Sequence, residues 1–210
     1  MTRRLALFDF DGTLTDRDTM LAFALHCRGP YRFWAGMLWL LPLFVGLRLG
    51  AIDRADAKRV FLRHFLRGMD RATLDRAAET FADRIEAWVR PAARDALSRH
   101  REQQDDIAIV SASLDLWLTP FAKLHDLRCL CTEAAITERG TFEGDLASPN
   151  CNGPEKVRRI RDAFDLEVYD GVTAYGDSSG DREMLALADE SFYKPFREAR
   201  QPRTKRLRTA

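Results

Sequence analysis

Residues 5–13 read LALFDFDGT, an apolar run followed at once by two acidic residues and a glycine. The run from Leu5 to Phe8 stops at Asp9, and Gly12 comes three residues later. A short apolar run that stops at polar residues is typical of a buried parallel strand that ends in a loop. The sequence therefore predicts a strand over 5–8, with Asp9 and Asp11 just beyond its carboxyl end.

The same pattern occurs twice more along the chain. Ile107 to Val110 is apolar and stops at Ser111, and Gly171 to Tyr175 stops before Gly176 and Asp177. Segments of helical length lie around these runs, at 94–104, 114–125 and 154–164. Alternation of short apolar strands with helices indicates an α/β fold with a central, mostly parallel sheet.

Polar side chains follow each predicted strand at the point where it ends. Open parallel sheets bind their ligands outside the carboxyl ends of the strands, which all meet at one edge. We therefore expect five residues that are distant in sequence to converge there: Asp9, Asp11, Ser111, Asp177 and Asp181.

The stretch 16–89 interrupts the alternation. It contains no convincing strand and is predicted to form four helices, at 18–27, 31–49, 54–67 and 71–89. Asp53 and Asp70 are the predicted N-caps of the last two helices. A helical block inserted after the first strand indicates a cap over the sheet edge. Residues 129–146 alternate weakly around Arg139 and Gly140, which predicts a β-hairpin.

The segment 33–49 is strongly apolar and contains Pro42 and two glycines. Three interpretations stay open: a cap helix buried against its neighbours, an element that binds acyl chains or a membrane surface, and a transmembrane span. The segment is shorter than the roughly 20 residues that a spanning helix needs. Pro42 is also expected to interrupt or kink it.

Composition and charge restrict the class of protein. The chain has 210 residues with 46% hydrophobic and 31% charged residues, as expected for a globular protein with one full-sized core, or with a core plus a small inserted subdomain. The net charge of +1 gives no indication of a nucleic-acid partner. The segment from Lys194 onward is basic and is interpreted either as a solvated tail or as a contact for anionic lipid or nucleic acid.

The cysteines and the N-terminus bear on the compartment. The four cysteines form no Cys-x-x-Cys pair and are expected to be reduced and structural. The short apolar run at 5–8 does not resemble a signal peptide. A cytoplasmic location is therefore expected, with peripheral contact at the inner membrane face through 33–49 or the basic tail as the alternative. The oligomeric state is not predicted.

Two carboxylates at the end of a buried strand are costly, because Asp9 and Asp11 repel each other and lose hydration. A bound divalent cation offsets that cost, since hard cations prefer oxygen ligands. Asp177 and Asp181 supply further carboxylates at another strand end. Mg²⁺ suits this set because it keeps several waters and binds a substrate phosphate oxygen.

Four motifs together resemble the haloacid dehalogenase superfamily of phosphohydrolases, and its phosphoserine phosphatase-like branch in particular. They run in the family's order over nearly the whole chain and read DFDGTLT at 9–15, IVSAS at 109–113, GPEK at 153–156 and GDSSGD at 176–181. The resemblance implies a Rossmann-like three-layer core at 1–16 and 90–210, with an all-helical cap at 17–89. It also implies a Mg²⁺-dependent phosphomonoester hydrolase that forms an aspartyl-phosphate on a small phosphorylated substrate.

The resemblance also implies a role for each motif residue. Asp9 would be the nucleophile and a metal ligand, and Asp11 would be the general acid and base. Asp11 would also offer its backbone carbonyl to the metal. Asp177 would be the remaining metal ligand, and Asp181 would support the ligands without touching the ion. The phosphoryl group would be held by Ser111, Ala112 and Lys156.

The second carboxylate of the first motif excludes one branch of the family. Members that cleave carbon–halogen bonds lack a carboxylate at the position of Asp11, whereas phosphatases and phosphomutases carry it. The chain is therefore expected to be a phosphatase rather than a dehalogenase.

The substrate is left open by the sequence. Asp18 lies where phosphoserine phosphatases often place an acidic residue that meets the substrate amine, but it is also a candidate helix N-cap. Gly180 departs from those enzymes, which usually carry Asn there, and the apolar segment resembles a branch that includes phosphatases of phosphatidylglycerophosphate-type lipids. The alternatives are thus a small metabolite, a lipid phosphate, and a non-catalytic phosphate-binding or membrane-associated module.

Overall fold

The computed structural model describes residues 3–197. Its seven strands are β1 (Arg4–Phe8), β2 (Asp106–Leu114), β3 (Arg128–Thr132), β4 (Ala134–Ile136), β5 (Phe142–Leu146), β6 (Gly171–Gly176) and β7 (Glu190–Tyr193). Its eight α-helices within this range are α1 (Thr19–Trp39), α2 (Leu41–Arg48), α3 (Arg54–Leu66), α4 (Arg71–Glu86), α5 (Pro91–Glu102), α6 (Asp115–Leu124), α7 (Pro154–Ala163) and α8 (Arg182–Leu187).

Five strands form a fully parallel sheet in the order β3-β2-β1-β6-β7. The strand β1 is central, and alternate residues point to opposite faces. Ala6 and Phe8 join a core with α5, α6 and the helices of 19–86, whereas Leu5 and Leu7 join a second core under α7 and α8. The predicted α/β class and Rossmann-like three-layer core are confirmed.

Three sheet features differ from the prediction. The strand β2 does not stop at Ser111 but runs on to Leu114, which is buried and pairs with Thr132 across an irregularity. The strand β7 was not expected, because its exposed residues carry no apolar period. Residues 129–132 belong to β3 of the main sheet, so the hairpin predicted over 129–146 is restricted to β4 and β5.

Every secondary-structure element in the segment 19–86 is a helix, as expected, but the helix boundaries differ from the predicted ones. The helix α1 bends at Gly29 (φ 72°) and Pro30 and ends at Trp39. The single helix predicted over 31–49 is therefore wrong, since α2 begins at Leu41 with Pro42 in its first turn. Proline lacks the N–H that would continue the preceding helix.

The predicted N-caps are confirmed. The Asp53 carboxylate accepts from the backbone N–H of Ala55 at 2.7 Å, and that of Asp70 accepts from Thr73 at 2.8 Å. These contacts satisfy N–H groups that have no partner inside the helix.

The hairpin packs against the helical block. Asp145 of β5 forms ion pairs with Arg59, at 3.0 Å, and Arg63 of α3. A Cβ on Gly144 would lie 2.7 Å from the backbone of Arg63, so the two elements approach as closely as a glycine allows. Among the residues described, no helix combines the length and apolar character required to cross a membrane.

Candidate active site

The predicted convergence of strand ends occurs in the structure. Parallel pairing places Phe8 beside Ile109 on one side and Tyr175 on the other. The backbone N–H of Asp9 donates to the Tyr175 carbonyl at 2.9 Å, and Asp177 follows two residues later. Asp9 and Asp177 therefore lie at the same edge because of the register of the central strand.

Lys156 joins three parts of this edge. Its ammonium donates to Asp9 Oδ1 at 2.7 Å, to Asp181 Oδ1 at 2.6 Å and to the Val110 carbonyl at 2.6 Å. The side chain is fully buried and enters from the first turn of α7, after Gly153 (φ 57°). All three ammonium donors thus have an acceptor, as a buried charge requires.

Burial and the nearby opposite charges shift the pKa values of these groups in opposite directions. Burial alone would lower the pKa of Lys156, but attraction to Asp9 and Asp181 raises it above its usual value. Burial would raise the pKa of Asp181, yet the Lys156 ammonium lowers it overall. For Asp9, burial outweighs the attraction of Lys156 and raises the pKa, with the Asp181 carboxylate adding to the rise. Further positive charge beside Asp9 would favour its ionised form.

Both oxygens of the Asp181 carboxylate are occupied by hydrogen bonds. Its Oδ2 accepts from the N–H of Asp177 at 3.1 Å and from the N–H and hydroxyl of Ser178 at 2.9 and 2.8 Å. Its Oδ1 accepts from Lys156. Asp181 thus fixes the loop that carries Asp177, and little of its oxygen surface is left for another ligand.

Asp11 points into a different network. Its Oδ1 accepts from the N–H of Thr19 at 2.8 Å, and its Oδ2 accepts from the hydroxyl of Ser113 at 2.5 Å. The Thr19 hydroxyl lies 3.3 Å from that of Ser113 and accepts from the Trp117 indole at 3.0 Å. This buried chain holds the Asp11 carboxylate between the first turn of α1 and the carboxyl-terminal part of β2.

The pKa of Asp11 is raised to about 7, by burial first and by the nearby Asp18 carboxylate second. A carboxyl with a pKa near neutrality can both give and take a proton. Asp18 itself is exposed and caps α1, since its Oδ1 accepts from the N–H of Leu21 at 3.1 Å. The N-cap interpretation of Asp18 is confirmed, and its contact with substrate stays a prediction.

The carboxyl-terminal part of β2 carries two of the predicted phosphate-binding residues, Ser111 and Ala112. The Ser111 hydroxyl is buried and accepts from the N–H of Ser113 at 3.0 Å. The Ala112 carbonyl accepts from the ammonium of Lys58, which reaches across from α3 and also donates to Asn150 Oδ1 at 2.8 Å. Burial lowers the pKa of Lys58 to about 8. Lys58 therefore ties the helical block to the carboxyl-terminal part of β2.

Carboxylates at the strand ends form a set suited to a divalent cation. One oxygen each from Asp9, Asp177 and Asp181 lies within 4.8 Å of the others. A Cβ on Gly12 (φ 83°) would lie 2.6 Å from Asp177 Oδ2, so only glycine allows this approach. Arg197 pairs with the same oxygen at 2.5 Å. Because the oxygens of Asp181 already accept hydrogen bonds, Asp9 and Asp177 are the side chains that fit a hard cation.

Several residues of the site were not expected from the sequence. Thr13 donates to Asp9 Oδ2 at 2.9 Å. It lies inside the first motif, so its place in the site could have been predicted from that motif. Ser113 lies inside the second motif but was not singled out. Thr19 and Trp117 carry no local signal, because their roles depend on contacts made over 94 to 98 positions of sequence.

Cavity size does not locate this site. A surface cleft of about 660 Å³ lies at the opposite ends of the strands and is lined by Arg3, Asp106 and Arg128. That cleft lacks the carboxylate cluster.

A sequence model of haloacid dehalogenase-like hydrolases matches residues 6–186, and this match spans all four motifs. The chain belongs to the haloacid dehalogenase-like hydrolase family. The family resemblance drawn from the motifs is therefore confirmed, and the family to which the chain belongs is one of hydrolases.

Two relatives cover most of the chain. Protein CicA of Caulobacter vibrioides is 37% identical over 195 residues, which are 92% of this chain and 86% of the relative. A probable phosphatase of Mycobacterium tuberculosis is 29% identical over 202 residues, covering 93% of this chain and 70% of the relative. A solved phosphoserine phosphatase with bound substrate superimposes with a TM-score of 0.64 at 17% identity, over 92% of this chain and 86% of that one, and shares the fold.

Proposed function

We propose that this family member is a Mg²⁺-dependent phosphomonoester hydrolase with Asp9 as the nucleophile. The observation that carries the proposal is the contact of the Asp9 carboxylate with the buried Lys156 ammonium, beside the carboxylate of Asp177. A carboxylate can attack a phosphoryl group only if nearby cations offset the repulsion between the two anions. The probable phosphatase among the relatives supports the same chemistry.

In the first half-reaction, an Asp9 oxygen attacks phosphorus while the bond from phosphorus to the ester oxygen breaks. Asp11 in its protonated form gives its proton to the departing oxygen. The products are an aspartyl-phosphate on Asp9, an alcohol and an ionised Asp11. The pKa of Asp11 near 7 supports this role, because a useful fraction is protonated at neutral pH.

In the second half-reaction, the ionised Asp11 takes a proton from water as that water attacks phosphorus. The bond between phosphorus and the Asp9 oxygen breaks, and inorganic phosphate leaves. Lys156 stays protonated throughout because its pKa is raised, so it remains a fixed positive charge beside the phosphoryl oxygens. Ser111 and the backbone at Ala112 would complete the phosphate site.

Asp9, Asp177 and the Asp11 carbonyl would hold Mg²⁺, with Asp181 fixing the loop from behind. The ion, when bound, would neutralise charge on the phosphoryl group and lower its repulsion from Asp9. The carboxylate set and the glycine contact at Gly12 support this assignment.

We further propose that residues 17–89 act as a cap that selects a small phosphorylated substrate. Two cap residues support a polar substrate, since the Lys58 ammonium and the Asp18 carboxylate both lie close enough to Asp11 to influence charge there. Lys58 would meet an anionic group and Asp18 a cationic one. The phosphoserine phosphatase with the same fold fits this class of ligand, and a cytoplasmic location fits a metabolite substrate.

A lipid phosphate is the second candidate. It is favoured by the exposed apolar side chains on α1 and α2, among them Trp34, Leu38 and Trp39. A panel that contains phosphoserine and lysophosphatidic acid separates the two candidates, because only one of them needs a cap that accepts an acyl chain.

The reaction is tested with para-nitrophenyl phosphate in the presence of Mg²⁺. Asp9→Asn removes the nucleophile and is expected to lower kcat by at least about 1,000-fold. Asp16→Asn, on an exposed neighbour, is the matched control and should keep full activity. Chelation should abolish turnover and added Mg²⁺ should restore it.

Robust turnover by the Asp9→Asn protein would exclude the covalent mechanism. Trapping of a phosphoryl group on Asp9, detected by mass spectrometry after rapid acid quench, tests the intermediate directly.

A further inference from the structure

Seven large apolar side chains in the cap are more than half exposed. They are Tyr31 (92%), Trp34 (63%), Leu38 (73%), Trp39 (70%), Leu41 (55%), Val45 (51%) and Leu49 (76%), and we call this set the apolar cap surface. It lies within 19 consecutive residues of the sequence, counted from 31 to 49. Exposed apolar groups concentrated in this way mark an interaction site, whereas single ones are ordinary.

The second half of α1 is apolar on two opposite faces. Phe33 and Gly36 pack into the core, and Gly36 is so close to α3 that a Cβ would lie 2.5 Å from His64. Tyr31, Trp34 and Leu38 follow the helical spacing i, i+3, i+7 and form the opposite, exposed face. The core contacts therefore leave this outer apolar face without an internal role.

The helix α2 extends the same surface. All eight of its residues are at least partly exposed, and Leu41, Val45 and Leu49 form a stripe at spacing i, i+4, i+8. The helix is about 12 Å long at 1.5 Å per residue, against a hydrocarbon thickness of about 30 Å. Such a short helix with an apolar stripe fits a position in the plane of an interface.

The charged side chains of the segment that carries the apolar cap surface have one sign. Residues 19–52 contain no Asp or Glu and include Arg28, Arg32 and Arg48, although the whole chain has a net charge of only +1. Arg32 and Arg48 are exposed, whereas Arg28 donates to the Phe65 carbonyl. Exposed arginines beside Trp and Tyr side chains match an anionic lipid interface, where aromatic rings sit at the level of the headgroups.

We propose that the apolar cap surface docks this protein onto an anionic lipid bilayer. The side chains of Trp34, Leu38 and Val45 enter the boundary between headgroups and acyl chains, and Arg32 and Arg48 contact the lipid phosphates. A second copy of the chain fits less well as the occupant, because a symmetric contact brings cationic surfaces together. The inference rests on the surface alone and does not depend on the proposed reaction or its substrate.

Flotation with vesicles tests the docking. The full chain is mixed with vesicles of phosphatidylcholine alone, or with about 30% phosphatidylglycerol, and centrifuged at low salt. The native protein is expected to float with the anionic vesicles, and to shift its Trp fluorescence to shorter wavelength. Raised salt and neutral vesicles should both weaken binding, because part of the attraction is electrostatic.

Two double variants give the matched comparison. Leu38→Glu with Val45→Glu changes the apolar cap surface and is expected to reduce the bound fraction at least about tenfold. Leu124→Glu with Val168→Glu makes the same charge change at exposed sites outside it, which are 67% and 51% exposed, and should bind nearly as the native protein does. Circular dichroism and hydrolysis of para-nitrophenyl phosphate check that both variants fold.

Three outcomes overturn the proposal: the native protein stays in the bottom fraction with anionic vesicles, both double variants lose binding equally, or the apolar cap surface proves to be a dimer interface. The last outcome is recognised by light scattering, as a native dimer that only Leu38→Glu with Val45→Glu converts to a monomer.

Discussion

Replacing Lys156 by Met removes the positive charge at the centre of the site and keeps most of the side-chain volume. The ammonium is the shared partner of Asp9 and Asp181, whose side chains are 10% and 2% exposed. After the change, two carboxylates lie close together in a buried place without a cation. Asp181 keeps the Ser178 contacts and Asp9 keeps Thr13, so neither side chain is left entirely without donors.

Removal of one partner from a buried ion pair costs about 3 to 5 kcal/mol. For a protein of this length, each kcal/mol lowers the melting temperature by about 2 to 4 °C. The Lys156→Met protein is therefore expected to melt about 6 to 20 °C below the native protein at neutral pH in the presence of a chelator. The chelator prevents a metal ion from taking the place of the ammonium.

The destabilisation should depend on pH with a defined sign. Without Lys156, burial raises the folded-state pKa of both carboxylates above their unfolded values, so the folded state loses stability as pH rises above about 4. In the native protein the pKa of Asp181 is instead lowered, and its contribution is present at neutral pH and lost only in acid. The difference in melting temperature between variant and native protein should thus be large at pH 7 and smaller at pH 5.

The assay is thermal unfolding followed by circular dichroism at the two pH values. Lys123→Met, on the exposed face of α6, is the control for loss of one lysine charge and should change stability by less than about 0.5 kcal/mol. Equal melting temperatures for Lys156→Met and Lys123→Met would refute the view that Lys156 holds the site together. A difference in melting temperature between Lys156→Met and the native protein that grows on acidification would refute it as well.

Three further changes probe separate parts of the site. Asp18→Asn keeps a capping oxygen but removes the charge that helps to raise the pKa of Asp11, so the loss of kcat/KM at high pH should begin at lower pH. If kcat/KM begins to fall at the same pH as in the native protein, this prediction is wrong. Gly12→Ala forces a Cβ against Asp177, so kcat should fall about 100-fold and the Mg²⁺ requirement should rise. An unchanged Mg²⁺ titration contradicts that view. Lys58→Met breaks two contacts between cap and core and should speed limited proteolysis of 17–89, with little effect on the melting temperature.

The sequence carried enough information to predict the central strands and the edge at which the carboxylates gather. The strands β1 and β6 and the first half of β2 are apolar runs followed by polar residues, and parallel pairing makes those polar residues neighbours. The strands β3 and β7 could not be recognised in the same way. Each contains polar or exposed residues and owes its place to the edge of an existing sheet, not to its own pattern.

The apolar segment shows where sequence patterns stop being informative. A run that is apolar at nearly every position has no period from which a buried face can be chosen. In the structure, Phe33, Gly36 and Leu40 are buried, whereas Met37 is partly buried and the other residues between them are exposed. The interpretation as a buried cap helix was therefore right for one face only. The network of Thr19, Ser113 and Asp11 was equally hidden, because it joins residues up to 102 positions apart.

The central position of β1 affects how the protein is made. The strand is synthesised before its partners β2 and β6, which begin at Asp106 and Gly171, and Asp9 meets Lys156 across 147 positions. Until β6 has been synthesised, β1 cannot pair on both sides, and such distant pairings form slowly. Until then the nascent chain exposes an apolar strand with a free edge, a state that favours binding by chaperones. The carboxylate cluster of Asp9, Asp177 and Asp181 cannot form before the loop after β6 has been synthesised.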